Sequence, residues 1–153
     1  MPAQCAARYG CSVPDINPVE TAANLRLVLG QLVRRVRAES GVSFGHLAVL
    51  GLLDRDGPQT TTQLAAARLV RHQSMTRTVD QLTAACWVAK AQDPTDGRKV
   101  RLRITKAGQV VLQQERARRV DWLANAIEGQ LSKGEQRILA QAIPVLTRLA
   151  RDG

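Results

Sequence analysis

The chain of 153 residues is poor in aromatic residues, acids and cysteines. Aromatic residues make up 3% of it, which argues against the stacking platforms that bind single-stranded nucleic acid. Its three cysteines (Cys5, Cys11 and Cys86) and two histidines do not have the spacing of a metal site. No apolar run has the length of a membrane span, and the N-terminus has no apolar signal core. These absences predict a cytoplasmic protein without metal, cofactor or membrane partner.

Sequence signatures of catalysis are missing as well. The chain has no G-x-S-x-G element and no phosphate-binding loop, and Ser74 has no plausible base nearby in sequence. We therefore expect that the protein is not an enzyme.

Positive charge, by contrast, is abundant. The 22 Lys and Arg residues outnumber the 13 Asp and Glu residues, which gives a formal net charge of +9. Such an excess favours polyanionic partners through an electrostatic attraction that does not depend on sequence.

Two short helices are predicted between residues 60 and 86. Thr60 and Gln63 have the spacing of a capping box, which begins the first helix. The second helix runs from about His72 to Ala85 and has two distinct faces. Its apolar face consists of Met75, Val79, Leu82 and Cys86, the last predicted to be buried, and its polar face of Gln73, Thr76, Arg77 and Asp80. Such a helix suits the major groove of DNA, where Arg pairs with guanine and Gln with adenine, and we call it the recognition helix.

A two-stranded hairpin is predicted after the recognition helix. Strict alternation places Val100, Leu102 and Ile104 inward and Lys99, Arg101 and Arg103 outward. The run 87–92 can form the antiparallel partner, and Asp93-Pro94-Thr95-Asp96 suits a type I turn. The result is a basic hairpin, called the wing, beside the recognition helix.

The segment 60–108 resembles the winged helix-turn-helix of MarR-type bacterial transcriptional regulators. The most specific matching residues are Thr76-Arg77, Val79-Asp80, Asp93-Pro94, Asp96, Arg98, Ile104-Thr105 and Ala107-Gly108. The likeness extends more loosely from Pro18 to the C-terminus. It implies a mainly α fold, in which a winged helix-turn-helix core with a two-stranded wing is flanked by N- and C-terminal dimerisation helices. Two residues depart from the family: Cys86 replaces a usual glycine, and Arg71 replaces a frequent capping Ser or Thr.

Helices are also predicted on both sides of this lobe. Residues 1–17 lack apolar periodicity and are predicted to be a flexible N-terminal arm. Residues 18–153 are predicted to be a single MarR-like domain, with 43–104 as the winged-helix DNA-binding lobe and 18–42 and 105–153 as dimerisation helices. Their apolar stripes exceed what one small lobe can bury, which predicts that two copies associate. The residues expected at this contact are Leu25, Leu29, Leu139, Ile143 and Leu146.

Helix starts are indicated by side chains that can cap a backbone amide. Ser43 and Thr105 have this position in two helices, and Ser132 with Glu135 forms a capping box for the last. Pro144 should kink that last helix or remove one of its hydrogen bonds.

A set of polar residues on the recognition helix, the preceding helix and the wing is expected to contact DNA: Thr61, Arg71, His72, Gln73, Ser74, Thr76, Arg77, Arg98, Lys99 and Arg101. We expect Arg77 to contact bases, Arg98 to enter a minor groove, and Lys99 and Arg101 to contact phosphates. Phosphates repel carboxylates, so Asp80 and Asp96 are assigned to bracing instead. Asp80 is expected to hold Arg77 or a wing arginine.

The predicted function is sequence-specific regulation by a homodimer on a pseudo-palindromic site in double-stranded DNA. The resemblance implies a repressor that a small aromatic or phenolic effector releases. The polar anchors expected for that effector are Gln31, Arg34, Ser43 and His46. Three alternatives stay open: a redox-sensing regulator that uses Cys5 or Cys11, a non-specific architectural DNA-binding protein, and a protein-interaction adaptor with the same fold.

Overall fold

The computed structural model describes residues 16–93, 96 and 99–151. The predicted arm, residues 1–17, lies almost entirely outside them. The chain divides into two units, residues 1–35 and 36–153. None of the helices described could cross a membrane. The elements in chain order are α1 (Pro18–Ala38), α2 (Phe44–Asp56), α3 (Thr61–Ala67), α4 (His72–Ala84), β1 (Val88–Gln92), β2 (Val100–Ile104), α5 (Lys106–Gln130) and α6 (Lys133–Arg151).

The core of the second unit lies between α2, α3, α4, the wing strands and the start of α5. Leu50, Leu64 and Leu82 are wholly buried there, one from each of the three short helices. Burial of one leucine side chain contributes about 1.5–3 kcal/mol, so a few such residues stabilise a lobe of this size. The other core residues are Leu47, Val49, Leu53, Ala65, Met75, Val79, Val88, Leu102 and Leu112.

Capping side chains start the helices where the sequence predicts them. The hydroxyl of Thr60 accepts a hydrogen bond from the Gln63 amide at 3.2 Å, and the Gln63 side chain accepts one from the Thr60 amide at 2.8 Å. The hydroxyls of Ser43 and Thr105 likewise accept hydrogen bonds from the amides of His46 and Gly108 at the starts of α2 and α5. The recognition helix α4 is the exception, since Arg71 at its N-cap makes no side-chain capping bond.

The wing is an antiparallel pair whose register runs from Val88 opposite Ile104 to Gln92 opposite Val100. Leu102 is buried as predicted; Val100 shares its face of β2, as predicted, but is 49% exposed. Val100 lies at the far end of the pair, beyond the core that Leu102 covers. Gln59 forms an isolated bridge with Leu102, so the loop before α3 also pairs with the wing.

The predicted burial of Cys86 is wrong, since this cysteine is exposed. It follows the C-cap of α4 and has a positive φ of 60°. The amide of Cys86 donates to the Thr83 carbonyl, and the amide of Trp87 donates to the Leu82 carbonyl, which together form a Schellman motif. Glycine favours this left-handed position, which explains why the family usually has it there. The turn after α3 has the same bonding pattern, with Leu69 at a φ of 52°.

The start of α5 lies against the turn between α4 and the wing. The Thr105 amide donates to the carbonyl of Trp87 at 3.0 Å. One helical turn later, a Cβ atom at Gly108 would lie 2.3 Å from the same carbonyl oxygen. No other residue type leaves room for this approach, so Gly108 fixes how closely α5 docks on the lobe.

Neither α1 nor α6 contains a buried residue, although each has a periodic apolar stripe. In α6, Ile138 and Leu149 are about two-thirds exposed, at 67% and 66%. Pro144 lies inside α6, and the helix continues past it to Arg151. The predicted surplus of apolar surface on the terminal helices is therefore present in the single chain.

Candidate nucleic-acid interface

The outer face of α4 carries the polar residues predicted to meet DNA bases. Met75, Val79 and Leu82 hold the opposite face in the core. Gln73 and Arg77 are exposed, and neither makes a side-chain hydrogen bond or ion pair among the described residues. Their donors and acceptors are therefore free to contact the edges of bases.

Three other predicted contacts lie on α4 or at its N-cap. The Thr76 hydroxyl donates to the His72 carbonyl at 3.0 Å, so part of its hydrogen-bonding capacity is used within the helix. Ser74 and Arg71 are exposed at the N-terminal end of α4.

A shallow cleft of about 470 Å³ lies beside the recognition helix, between the starts of α3, α4 and β2. It brings together three residues that were predicted separately, Thr61, His72 and Lys99. Hydroxyl, imidazole and ammonium groups are all common donors to phosphate oxygens. Thr60, Thr62 and Val100 complete its lining.

Ion pairs occupy part of the wing's positive charge. Arg101 donates from Nε to Oδ2 of Asp93, a carboxylate that is almost wholly buried. Lys99 Nζ lies 3.4 Å from Asp96 Oδ2, and both side chains are exposed. Arg101 therefore stabilises the wing through Asp93, a partner that the sequence analysis placed only in the turn. Arg98 lies outside the described residues.

Two side-chain contacts hold the recognition helix one turn after Arg77. Asp80 pairs with Lys90 of β1 at 3.2 Å, so its partner is a wing lysine instead of Arg77 or a wing arginine. Gln81, which sequence reasoning did not identify, hydrogen-bonds through Oε1 with Nε2 of His46 in α2 at 2.9 Å. These contacts connect α4 to the wing on one side and to α2 on the other.

The four residues expected to anchor an effector are divided between the two units. Gln31 and Arg34 belong to the first unit. In the second, Ser43 caps α2, and His46 bonds to Gln81 and lies edge-on to the Trp87 ring. Both side chains thus have partners within the lobe; the Ser43 cap is predicted by the sequence, whereas the partners of His46 are not.

A pocket of about 220 Å³ lies elsewhere, between the outer face of α2 and the middle of α5. Phe44, Leu47 and Leu112 give it apolar walls, and Arg116 and Arg119 are its cations. Arg116 pairs with Asp54 at 3.1 Å, whereas Nε and Nη2 of Arg119 are buried without a partner in the part of the chain that the structure describes. The only sequence signal for this pocket is the RARR run at 116–119.

The residues predicted at the dimer contact lie on apolar stripes of α1 and α6. Leu29 and Ile143 are 45% and 53% exposed, and Leu25, Leu139 and Leu146 are half-buried. No other residue of the described chain covers these stripes completely.

The packed helix-turn-helix, its wing and the exposed polar residues of α4 define a winged helix-turn-helix DNA-binding protein. A family model described as MarR family matches residues 40–99, which is the region of α2 to the wing. An uncharacterized HTH-type transcriptional regulator of Mycobacterium bovis is 32% identical over 131 residues, covering 84% of this chain and 91% of the relative. This chain belongs to the MarR family of transcriptional regulators.

Solved structures agree with this assignment. A Pseudomonas aeruginosa PA01 protein described as a transcriptional regulator is 34% identical and superposes with a TM-score of 0.77, covering 88% of this chain and 96% of its own. The F27L mutant of MepR from S. aureus, solved bound to an oligodeoxyribonucleotide, has a TM-score of 0.64 and 17% identity over 84% of this chain and 97% of its own. At that identity the likeness bears on the fold alone.

Proposed function

We propose that this protein is a dimeric, sequence-specific repressor that leaves its DNA site when a small aromatic or phenolic acid binds. The observation that carries the proposal is the exposed, unpartnered pair Gln73 and Arg77 on a helix whose other face is fixed in the core. A rigid helix with free base-specific donors suits the major groove.

The cleft at Thr61, His72 and Lys99 supports separate sites for phosphate contact and base contact at this surface. Phosphate contacts there would set the register of the protein on the duplex, while Gln73 and Arg77 would select bases. Arg101 is less suited to this role than Lys99, because its Nε is bound to the buried Asp93 carboxylate. The MepR mutant, whose fold is similar to that of this chain, was solved bound to an oligodeoxyribonucleotide.

The exposed stripes of α1 and α6 support the dimer. Apolar surface of this extent on a helix is stabilised when a second copy covers it. A two-fold dimer places two recognition helices on one face of the duplex, so we expect a pseudo-palindromic operator with half-sites about 10 bp apart. Binding there would block transcription by occupying the promoter.

The pocket between α2 and α5 is a better effector site than the four anchors predicted from sequence. Its apolar walls suit a flat ring, and the buried, unpaired donors of Arg119 suit a carboxylate. The effector must bind the DNA-incompetent form more tightly than the competent form, because a ligand with equal affinity for both shifts nothing.

The DNA-binding part is tested by titrating duplexes selected from a random library against the wild type and single variants. Arg77→Ala should reduce affinity for the selected duplex much more than for an unrelated one. Lys99→Ala should weaken both alike and reduce the slope of log K against log salt by about one. Arg148→Ala removes the same charge from exposed α6 and serves as the matched control. Equal binding of selected and unrelated duplexes by the wild type would favour the architectural alternative.

The dimer and the effector need separate tests. Ile143→Asp should convert a dimer to a monomer in light scattering while the lobe stays folded; a dimer that persists would contradict the assigned contact.

Salicylate should release wild-type protein from DNA, and it should release the Arg119→Gln variant less readily, with Arg148→Gln as control. If salicylate has no effect and peroxide releases wild type but not a Cys5→Ser/Cys11→Ser double variant, the redox alternative replaces the effector.

A further inference from the structure

Three polar side chains follow one another along the outer face of α4 at intervals of four residues. They are Gln73, Arg77 and Gln81, and we call them the polar stripe. Residues four apart on a helix lie on the same face, so all three could point toward one groove. All three are exposed in the structure. Their spacing alone would assign Gln81 to base contact together with the other two.

Among the residues that the structure describes, Gln81 alone of the polar stripe has a side-chain partner. His46 of α2 lies with Nε2 2.9 Å from Oε1 of Gln81. Because an amide oxygen can only accept, Nε2 of His46 carries the proton in this bond. Gln73 and Arg77 have no such partner among the described residues.

His46 is itself held in place. It lies in the first turn of α2. Its amide donates to the capping hydroxyl of Ser43, and the next residues of the helix include Leu47 and Leu50 of the core. Its ring meets Trp87 edge-on, with the ring centroids 6.5 Å apart and the planes at 81°. The donor that engages Gln81 is therefore fixed by packing, which lowers the entropic cost of the hydrogen bond.

We propose that His46 is a positioning residue that withdraws Gln81 from DNA and so limits base selection to Gln73 and Arg77. This inference rests on the proposed sequence-specific binding by α4. An unrestrained Gln81 would present an amide one turn from Arg77, where a glutamine can pair with the N6 and N7 edge of adenine. The bond to His46 removes that possibility without removing the residue.

The proposal makes an unusual prediction for His46→Ala. The variant should bind DNA as well as the wild type or slightly better, yet its selected sequence should change. We expect a new preference for adenine at one position in each half-site, on the order of tenfold, next to the position that Arg77 specifies. The dependence on salt should not change, because no phosphate contact is lost.

The experiment selects duplexes from a random library with full-length wild type, His46→Ala, Gln81→Ala and the double variant. Gln81→Ala alone should select the wild-type sequence, and the double variant should return to it, because the side chain that makes the new contact is gone. His46→Gln keeps an N–H donor near the position of Nε2 and should also select the wild-type sequence. Thermal unfolding of each variant checks that the lobe stays folded.

The outcomes separate the possible errors. An unchanged sequence for His46→Ala overturns the proposal, as does a changed sequence that persists in the double variant, since His46 would then act through the position of the whole helix. If the wild type enriches no sequence, the proposed function is wrong and this inference is overturned with it.

Discussion

The lobe formed by α2 to β2 and the terminal helices α1 and α6 use the same kinds of residue with different results. Leu50 of α2 is 0% exposed, whereas Ile138 of α6 is 67% exposed, although both lie on apolar stripes. The lobe covers its own apolar surface and can tolerate local strain, such as the positive φ angles of Leu69 and Cys86. The stripes of α1 and α6 remain uncovered in one chain. Stability within the lobe should therefore be intrinsic, while stability at the termini should depend on association.

The largest expected effect separates the two regions directly. Leu50→Ala should lower the free energy of unfolding by about 2–5 kcal/mol, because it leaves a cavity in a packed core. Ile138→Ala should cost less than about 1 kcal/mol at low protein concentration. Urea unfolding at several protein concentrations measures both. Leu50→Ala should lower the free energy of unfolding more than Ile138→Ala at every concentration. Equal losses in dilute solution would contradict the difference between the lobe and the terminal helices.

The joint between α5 and the lobe gives the next largest effect. Gly108→Ala should destabilise by about 1–3 kcal/mol, since its Cβ would overlap the Trp87 carbonyl oxygen. Gly129 lies in the same helix with nothing within 4 Å of an added Cβ. Gly129→Ala should therefore stabilise by about 0.5–1 kcal/mol through helix propensity. Gly108→Ala should thus lower the thermal stability and Gly129→Ala should raise it. A gain in stability for both variants would contradict the close approach of Gly108 to the Trp87 carbonyl.

A smaller gain is expected from removing strain in the lobe. Cys86→Gly should stabilise by about 1 kcal/mol or less, because glycine accepts the left-handed conformation that cysteine resists. The neighbouring Ala85 has a right-handed φ of −76° and provides the control. Ala85→Gly should destabilise by about 0.5–1 kcal/mol. Chemical denaturation compares the two, and destabilisation by both would show that Cys86 is not strained.

The smallest effect concerns pH at the start of α6. The Ser132 hydroxyl and amide both donate to the Glu135 carboxylate and hold the pKa of Glu135 below its ordinary value. Because the folded pKa is the lower one, this contribution is present above the unfolded pKa of about 4.3 and is lost as pH falls through the folded pKa. Wild type and Glu135→Gln should differ in thermal stability near neutral pH and converge in acid. A constant difference would exclude this carboxylate as the cause.

Features that depend on near neighbours in sequence could be predicted well. The caps at Ser43, Thr60 and Thr105 need only the next three residues, and the faces of α4 follow from its period. Cys86 was predicted wrongly because apolar spacing does not reveal where the helix ends and φ changes sign. The missing side-chain cap at Arg71 was predictable, since an arginine side chain has no oxygen that could accept the bond.

Parts of the candidate site that depend on distant residues could not be predicted. The partner of Gln81 is 35 positions away in α2, and that of Arg101 is a carboxylate whose burial only the folded wing creates. The unpaired donors of Arg119 become visible only when α5 is packed against α2. Residue type indicates which side chains could contact DNA or an effector. Tertiary contacts determine which of them are already hydrogen-bonded or ion-paired within the protein.

The contact between Gly108 and Trp87 also has a mechanical consequence. Helix α5 contains 25 residues; its first turn lies against the Trp87 carbonyl, and Leu112 and Arg116 hold its next turns to the core and to Asp54 of α2. At 1.5 Å per residue, the part of the helix beyond Arg116 is about 21 Å long, so a rotation of about 5° at its attached half moves its far end by about 2 Å. A rotation of the DNA-binding lobe by a few degrees would therefore displace the distant end of α5 by about 2 Å.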